Sequence, residues 1–456
     1  MVIPSLSIMN SKKNIFYKIL FFISIILIIY TFYRSEIIWE GNKRNYYNIY
    51  YFISFIILLF SISLNFFYKK IKIYVLITFF SFVAGLYSYE VFLNLNLIKT
   101  EKLQKQYQGS ILQKKQIYEK NTGKKFDTRS KIQVYNFEKE IDPNIKVDIP
   151  PSLNLWKNNK VFPLSGFSNS NTIHCNENGY YTYYRSDRYG FNNPDTVWNE
   201  NDIEYYLVGD SFAHGSCVHE NFRIASQLRN LTKKSVINLG YGGTGPLIQY
   251  ASLKEYLRGN VKKIIWLYYE ENDLDNLYGE LQDNTLIKYL NNPNFSQNLF
   301  ENQSLVDAIV YERLKEAQKM TKSKIDQRDN FFSNFLKIIK LYELRSSLRK
   351  LYDPILEFEK ILRLTKNLSS KTNTQLYFVY LPEYSRYVNS KFSNKNYNKI
   401  KKIINRLKIP IIDVHEKVFL KEKDPLELFP FKLYGHYTPE GYEKISRVIY
   451  LETQKN

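Results

Sequence analysis

The sequence predicts a membrane-anchored protein whose main domain has an α/β fold with a doubly wound parallel sheet. Two observations lead to this prediction. Three long apolar runs occupy the first hundred residues, and short apolar, β-rich runs alternate with helical patterns from about residue 203 onward. Apolar strands separated by helices are typical of a parallel sheet that is covered on both faces.

The N-terminal region, residues 1–95, is expected to form three transmembrane helices. The apolar runs cover residues 15–33, 46–67 and 73–95, and each is about long enough to cross a hydrocarbon core of roughly 30 Å as a helix. Three such runs in succession argue against buried helices of a soluble protein. No small-residue cleavage site follows the first run, which argues against a cleaved signal peptide.

Basic residues predict the orientation of these helices. Lys12 and Lys13 precede the first run, and Lys69, Lys70 and Lys72 lie between the second and the third. By the positive-inside rule both sites are cytoplasmic, although the loop after the first run is basic as well. We therefore expect a multi-pass protein of the cytoplasmic membrane, embedded in the lipid bilayer. Its N-terminus is cytoplasmic, and everything after residue 96 lies outside the cytoplasm, in the periplasm of a bacterial cell.

The composition limits the kinds of partner that the protein is expected to bind. The formal net charge is +20, from 64 Lys and Arg against 44 Asp and Glu, and such a charge is compatible with binding to nucleic acid. The basic residues are spread along the chain without an arginine-rich block or a nucleic-acid-binding motif. We therefore expect no nucleic-acid partner. We expect no cofactor either, and the sequence leaves the oligomeric state open.

The remaining chain divides into a lead-in and an α/β domain. Residues 96–200 read as a polar, helical or flexible stalk followed by an irregular segment that packs on the domain, and residues 201–456 read as the domain itself. A helical insertion is expected at about 276–372, with a helix over 333–353 that ends before Pro354. The predicted strands are 203–209, 235–240, 261–269, 374–381 and 409–415, with helices at 221–232 and 397–407.

Polar and glycine-rich stretches follow the predicted strands. Gly209-Asp210-Ser211 follows the first strand, NLGYGGTG (238–245) the second and EEND (270–273) the third, while GHYTPEGY (435–442) lies after the last strand. In an open parallel sheet, ligands bind at the carboxyl ends of the strands. The four stretches are therefore expected to meet in one site.

Together, these stretches resemble the four sequence blocks of the SGNH, or GDSL-like, hydrolase superfamily. Ser211 matches the nucleophile of the family, Asn272 its asparagine and His436 its histidine. Gly243 matches the glycine of the second block, with Gly242 as the alternative if the register is shifted by one residue. The resemblance implies a flavodoxin-like doubly wound sheet and a serine ester hydrolase.

The chemistry of an ester hydrolase needs these residue types. A serine becomes a nucleophile when a base takes its proton, which His436 can do at neutral pH. The resemblance implies an oxyanion hole made by the Ser211 N–H, the Gly243 N–H and the Asn272 amide. It implies ester substrates such as acetylated glycans or lipids. Transfer of the acyl group to an envelope polysaccharide, and a catalytically inactive protein that binds a glycan or a partner, stay open as alternatives.

One position departs from the family pattern. Leu433 stands three residues before His436, where the family usually has Asp. Three explanations are open: a Ser–His dyad whose histidine donates to a backbone carbonyl, a carboxylate supplied from elsewhere, or a loss of catalysis. Asp413 and Glu427 are candidates for such a carboxylate by their proximity in sequence, and Asp210 is expected to stabilise the turn before the serine.

The two cysteines of the sequence form a candidate disulfide. Cys175 lies in the lead-in, and Cys217 lies six residues after the serine, so a bond between them would place the lead-in beside the active site. An oxidising compartment favours this bond. Free thiols are an alternative, and so is a metal site completed by His174 and His219, although adjacent ligands are unusual in zinc sites. We expect no metal.

Overall fold

A computed structural model describes residues 6–41, 44–66, 68–97, 101–155, 157, 159–323, 337–339, 341–349, 353–389, 392 and 394–455. Its contacts divide the chain into two units. One unit comprises Met1–Lys99 and Phe331–Arg349, and the other comprises Thr100–Asn330 and Lys350–Asn456. Both units are therefore discontinuous in sequence.

The N-terminal unit consists of apolar helices. They are α1 (Leu6–Phe32), which continues as a π-helix over Tyr33–Ile38, α2 (Arg44–Ser63) and α3 (Lys69–Leu97). Two stretches, Lys18–Ile38 and Ile73–Asn94, are long and apolar enough to cross a membrane. The second of the three predicted spans is a shorter apolar helix, Tyr47–Ser63.

Large apolar side chains on these helices point outward. Phe22, Phe52 and Phe80 are 63%, 61% and 58% exposed. An exposed apolar surface of this extent is unusual on a soluble monomer and is typical of contact with lipid or with a protein partner. The helices thus present apolar faces that the described residues leave uncovered.

The second unit contains the predicted α/β fold. Its five-stranded sheet has the order β5-β4-β6-β7-β8, with every pair parallel. This is one of the two common doubly wound orders. The strands are β4 (Asp202–Gly209), β5 (Val236–Asn238), β6 (Asn260–Tyr269), β7 (Gln375–Leu381) and β8 (Ile411–Asp413). The five predicted strands are thereby confirmed within a few residues.

Helices cover both faces of this sheet because its strands are apolar on both sides. Tyr205 and Leu207 of β4 belong to one buried cluster, whereas Tyr206 and Val208 belong to the other. The helices that follow the lead-in in the chain, of which α12 belongs to the N-terminal unit, are α6 (Ser211–His214), α7 (Ile224–Thr232), α8 (Pro246–Tyr256), α9 (Asp273–Glu280), α10 (Asn284–Asn291), α11 (Gln303–Ser323), α12 (Tyr342–Arg349), α13 (Ile355–Lys371), α14 (Ser385–Val388), α15 (Tyr397–Arg406), α16 (Val414–Lys417) and α17 (Pro439–Thr453).

The lead-in contributes two helices and a small sheet. Helices α4 (Glu101–Thr122) and α5 (Lys131–Glu138) come first. Strands β1 (Lys146–Val147), β2 (Asn171–Ile173) and β3 (Tyr183–Arg185) follow and form a three-stranded sheet. Because Val147, Ile173 and Phe191 are buried in the same cluster as one face of the main sheet, the lead-in is part of the α/β core.

Helix α12 lies in the chain between elements of the α/β unit but packs in the N-terminal unit. The Glu90 carboxylate of α3 accepts hydrogen bonds from the Glu343 N–H (2.8 Å) and the Leu344 N–H (2.7 Å) at the start of α12. The predicted single helix over 333–353 is interrupted, because Leu341 adopts a left-handed backbone conformation with φ 48°. Residues 333–336, 340 and 350–352 of that prediction lie outside the described residues.

Candidate active site

Ser211 stands at the carboxyl end of the first strand of the main sheet, where the chain turns into α6. Asp210 caps this short helix, because its carboxylate accepts a hydrogen bond of 2.9 Å from the Phe212 N–H. The turn therefore places the Ser211 hydroxyl at the edge of the sheet where the other predicted site residues also arrive.

His436 reaches Ser211 from the far end of the chain. The Ser211 Oγ and the His436 Nε2 are 2.8 Å apart, which is hydrogen-bonding distance. His436 precedes α17, which is capped by the Thr438 hydroxyl, and its ring packs against Phe212 with 4.8 Å between ring centroids. The structure thus brings together two residues that are 225 positions apart in sequence.

Glu177 supplies the carboxylate that is missing at Leu433. Its Oε1 is 2.9 Å from the His436 Nδ1, and its Oε2 accepts a hydrogen bond of 2.7 Å from the His436 backbone N–H. With an acceptor at Nδ1, the imidazole is held with its Nε2 lone pair toward the Ser211 hydroxyl. Serine, histidine and glutamate therefore form a continuous hydrogen-bonded chain.

The segment that carries Glu177 is attached to the segment that follows Ser211. The predicted disulfide between Cys175 and Cys217 is present, with 5.2 Å between the two Cα atoms. The Asn178 side-chain amide also donates to the Cys217 carbonyl at 2.9 Å. Glu177 lies between these two attachments, so its position relative to Ser211 is fixed from both sides.

Burial and charge act against each other on this chain of residues. Burial raises the pKa of Glu177, but the charge and hydrogen bonds of His436 and the charge of Lys114 outweigh it and lower that pKa to about 2. Burial lowers the pKa of His436, whereas the charge and hydrogen bond of Glu177 raise it, and the result lies above the usual value. Glu177 is thus an anion at neutral pH, and it favours a protonated His436.

Lys114 is a third charged group near His436. It extends from α4, is only 6% exposed, and its Nζ would lie 3.2 Å from a Cβ atom built on Gly435. On the same glycine, that Cβ would lie 2.6 Å from the Glu177 Oε2. Glycine at position 435 therefore leaves the space into which both charged side chains reach.

The predicted oxyanion-hole glycine, Gly243, and its alternative, Gly242, lie on the loop after β5. A Cβ atom built on Gly242 would lie 3.8 Å from the Ser211 Cβ, but the Gly242 N–H donates to the His214 Nδ1 at 3.3 Å. Gly243 has φ 73°, a left-handed conformation that favours glycine. Its N–H meets no acceptor among the residues that the structure describes, so the N–H of Gly243, unlike that of Gly242, is left without a partner there.

Asn272, the third predicted donor, lies beside Asp210. Burial raises the pKa of Asp210, while the Phe212 N–H, the charge of His436 and the nearby Asn272 side chain lower it, and the net direction is upward. Burial and the neighbouring Asp210 charge also raise the pKa of Asp273. Asp210 therefore connects the serine turn with the asparagine, in addition to capping α6.

Asp413 and Glu427, the carboxylates expected to support His436, have other partners. Asp413 accepts from the Tyr397 hydroxyl at 2.6 Å and pairs with Lys401 at 3.1 Å. Glu427 pairs with Lys432 at 3.0 Å. The support comes instead from the lead-in, a long-range contact that sequence proximity does not indicate.

The disulfide is incompatible with the alternative of a metal site that uses both cysteine sulfurs. His174 bonds through Nδ1 to Asp148 at 3.1 Å and through Nε2 to the Ser216 hydroxyl at 3.1 Å. His219 stacks on the ring of Tyr180, with 5.3 Å between centroids. The two histidines expected as alternative ligands thus have separate partners.

No protein-family model matches this chain, and no curated protein matches it. Among solved structures, it is similar to a protein from Desulfitobacterium hafniense DCB-2 that is assigned to the G-D-S-L family of lipolytic proteins. The similarity has a TM-score of 0.30 and 12% sequence identity, and it covers 55% of this chain and 98% of the other.

Proposed function

We propose that this protein is a membrane-anchored serine ester hydrolase of the SGNH type, with Ser211, His436 and Glu177 as its catalytic triad. One observation carries the proposal: the continuous hydrogen-bonded chain from the Ser211 hydroxyl through His436 to the Glu177 carboxylate. A nucleophile, a base and a group that orients the base, all within hydrogen-bonding reach, are the arrangement that acyl transfer requires.

The reaction follows from this arrangement. The Ser211 Oγ attacks the carbonyl carbon of the ester while its proton passes to the His436 Nε2. The bond to the alcohol oxygen then breaks, and the same proton goes to the leaving alkoxide, which leaves an acyl group on the serine. Water then attacks this acyl-enzyme and gives a proton to His436. As the bond between the acyl carbon and Oγ breaks, His436 passes that proton to Oγ, which releases the carboxylic acid and restores the Ser211 hydroxyl.

Charge develops on the carbonyl oxygen during both attacks. The N–H groups of Ser211 and Gly243 and the side-chain amide of Asn272 are the donors that would stabilise it. Glu177 stabilises the imidazolium that forms at His436 in the same step, because its carboxylate accepts from the Nδ1 side of the ring. The oxyanion and the imidazolium, which develop in the same step, therefore each have their own stabilising groups.

The location of the enzyme is part of the proposal. We place the apolar runs of residues 1–95 in the cytoplasmic membrane as three spans, with the N-terminus inside and the α/β unit outside the cytoplasm. The exposed apolar faces of α1, α2 and α3 support contact with lipid. The disulfide between Cys175 and Cys217 supports an oxidising compartment.

Ester hydrolysis is favoured over the two other functions. The substrate we propose is an O-acetylated glycan or a lipid ester of the cell envelope. An O-acyltransferase would use the same serine with a sugar hydroxyl in place of water, but three spans are few for a channel that delivers an acyl donor. The alternative of an inactive binding protein was based on Leu433, which stands where the family has Asp. That basis no longer applies, because Glu177 provides a carboxylate to His436.

The full chain in detergent tests the proposal. We expect it to hydrolyse p-nitrophenyl acetate and to be labelled by a fluorophosphonate at Ser211, and we expect Ser211→Ala to abolish both. For a transferase, release of p-nitrophenol would rise when a glycan acceptor is added, and the acetyl group would be recovered on the glycan rather than as acetate. The proposal that the protein is an enzyme would be contradicted if the intact wild-type chain showed neither hydrolysis nor labelling and so behaved like the Ser211→Ala variant.

A further inference from the structure

His214 is a buried histidine that the proposed reaction does not use. It is the last residue of α6, three positions after Ser211, and it is 0% exposed. A polar residue at the end of a short helix normally faces water, whereas this one lies inside the domain. Its burial beside the nucleophile requires a structural or functional reason.

The ring of His214 is held by aromatic neighbours. It stacks on the ring of Tyr241, with 4.5 Å between centroids and 26° between planes. It also meets Tyr184 edge-on at 5.0 Å and His174 at 4.3 Å. The orientation of the imidazole is therefore set from several sides, and so is the direction of its Nδ1 lone pair.

The hydrogen bond from Gly242 determines which nitrogen of His214 carries the proton. A backbone N–H can only donate, so the Nδ1 that receives it at 3.3 Å is unprotonated. Burial and the charges of His174 and other nearby groups lower the pKa of His214 well below its usual value, so the ring is neutral with its proton on Nε2. That nitrogen is buried without a partner among the described residues.

We propose that His214 is a positioning residue that holds the loop of Gly242 and Gly243 so that the Gly243 N–H is presented to the oxyanion. Gly242 lies between the two side chains, since a Cβ built on it would be 3.8 Å from the Ser211 Cβ and 3.9 Å from the His214 Nδ1. With the Gly242 N–H directed at the imidazole, the next N–H of the loop is the one left for the substrate. This inference rests on the proposed ester hydrolysis.

Glycine gives this loop no rigidity of its own. Gly242 and Gly243 have wide conformational freedom, and their order in the folded protein must come from contacts. An oxyanion donor is effective when it is oriented before the reaction begins. A fixed acceptor on a helix that starts with the nucleophile itself couples the loop to Ser211, so the two move as one piece.

A metal ion is the competing explanation for this histidine. One nitrogen or oxygen of each of Asp148, His174 and His214 lies within 4.8 Å of the others. A metal on the His214 Nε2 would require the proton to sit on Nδ1, where it would face the Gly242 N–H. Asp148 is already paired with the Lys131 ammonium and bonded to His174, so its charge is balanced without a metal.

Two substitutions distinguish the contribution of the hydrogen-bond acceptor of His214 from that of its aromatic ring. His214→Phe keeps an aromatic ring against Tyr241 but has no acceptor, whereas His214→Asn can place its Oδ1 where the Nδ1 was. We expect His214→Phe to lower kcat for p-nitrophenyl acetate by roughly 10- to 100-fold with little change in KM, which is less than deletion of an oxyanion donor costs. His214→Asn should recover most of that loss. His415→Phe is the matched control, because the His415 Nδ1 bonds to Tyr387 at 2.8 Å away from the serine.

Binding of an inhibitor that forms a tetrahedral adduct distinguishes a positioning role of His214 from a purely structural one, because a purely structural role would leave the affinity for that inhibitor unchanged. Affinity for a boronic acid that adds to Ser211 should fall by the same factor as kcat in His214→Phe, while the melting temperature of His214→Asn and His214→Phe stays comparable. A His214→Phe variant as active as the wild type would overturn the inference. So would equal losses in the Phe and Asn variants when both are folded, or a bound metal detected in the purified chain.

The tautomer can be measured without any activity. The chain has five histidines, and the ¹⁵N spectrum of the wild type, compared with that of His214→Phe, assigns the ring of His214. We expect a protonated Nε2 and an unprotonated Nδ1 between pH 6 and 8. A protonated Nδ1 would overturn the inference even in an active enzyme. An inactive wild type with the expected tautomer would contradict the proposed hydrolysis and, with it, the role of His214 in that reaction.

Discussion

Glu177 and His436 are joined by two hydrogen bonds, one from the imidazole Nδ1 at 2.9 Å and one from the backbone N–H at 2.7 Å. The same carboxylate therefore orients both the ring and the main chain of the histidine. Because both oxygens accept, the group that replaces Glu177 must accept at both positions to preserve the site.

Glu177→Gln tests this relationship. A glutamine can donate where the wild type accepts, so it stabilises the imidazole with the wrong nitrogen protonated. We expect kcat for ester hydrolysis to fall on the order of 10³- to 10⁴-fold, as for other triads that lose their carboxylate. Glu427→Gln, which alters an exposed ion pair with Lys432, is the control and should retain full activity. Equal rates in both variants would show that Glu177 is not part of the reaction.

The acid limb of the pH–rate profile should respond to Lys114. Catalysis needs a neutral His436, so activity is lost as the pH falls through its pKa. That pKa is raised by Glu177 and lowered by the charge of Lys114. Removing the positive charge in Lys114→Met should raise the pKa further and shift the acid limb to higher pH.

Kinetics at constant ionic strength across pH 5 to 9 measure this shift. Lys120→Met is the matched control, because Lys120 lies on the same helix and is exposed, and its profile should coincide with that of the wild type. A Lys114→Met profile that coincides as well would rule out the electrostatic coupling.

Asn272→Ala should reduce the rate without weakening binding. The side-chain amide of Asn272 is proposed to stabilise the oxyanion, and removal of such a donor costs roughly 10²- to 10³-fold in kcat. Asn260→Ala, at the opposite end of β6 with its partner Asp202, should behave as the wild type. A change confined to KM would assign Asn272 to substrate binding instead.

Removal of the disulfide should lower both the stability of the fold and the rate of ester hydrolysis. The bond closes a loop with a sequence separation of 42, for which loop entropy gives about 3–4 kcal/mol of stability. We expect the Cys175→Ser, Cys217→Ser double variant to have a lower melting temperature. We also expect slower hydrolysis at temperatures where it remains folded, because Glu177 lies two residues from Cys175. Free thiols titrated in the unreduced wild type would contradict the bond.

Much of the fold could be predicted from sequence because its signals are local. The strands are short apolar runs with β-branched and aromatic residues, and a parallel sheet collects the ends of those strands at one edge. Ser211 and His436 could be predicted to meet there for that reason. Asp210 could likewise be read as a turn residue, since its carboxylate bonds to an N–H only two positions away.

Glu177 could not be predicted in the same way. It lies in an irregular segment without periodicity, and it reaches His436 across 259 positions of sequence. The search for a carboxylate near His436 led to Asp413 and Glu427 because proximity in sequence was the only guide. One signal was available: the predicted bond between Cys175 and Cys217 places the neighbouring Glu177 beside the serine turn.

The contact between Glu90 and α12 has a consequence for the order of events during synthesis. The Glu90 carboxylate and the Glu343 N–H are separated by 253 positions. At a translation rate of about 5–20 residues per second, the partner of Glu90 is made roughly 13–50 s after Glu90 itself. In that interval the ribosome produces β4, β5 and β6. The Glu90 carboxylate of the N-terminal helices therefore lacks these two hydrogen-bond donors until more than half of the main sheet has been translated.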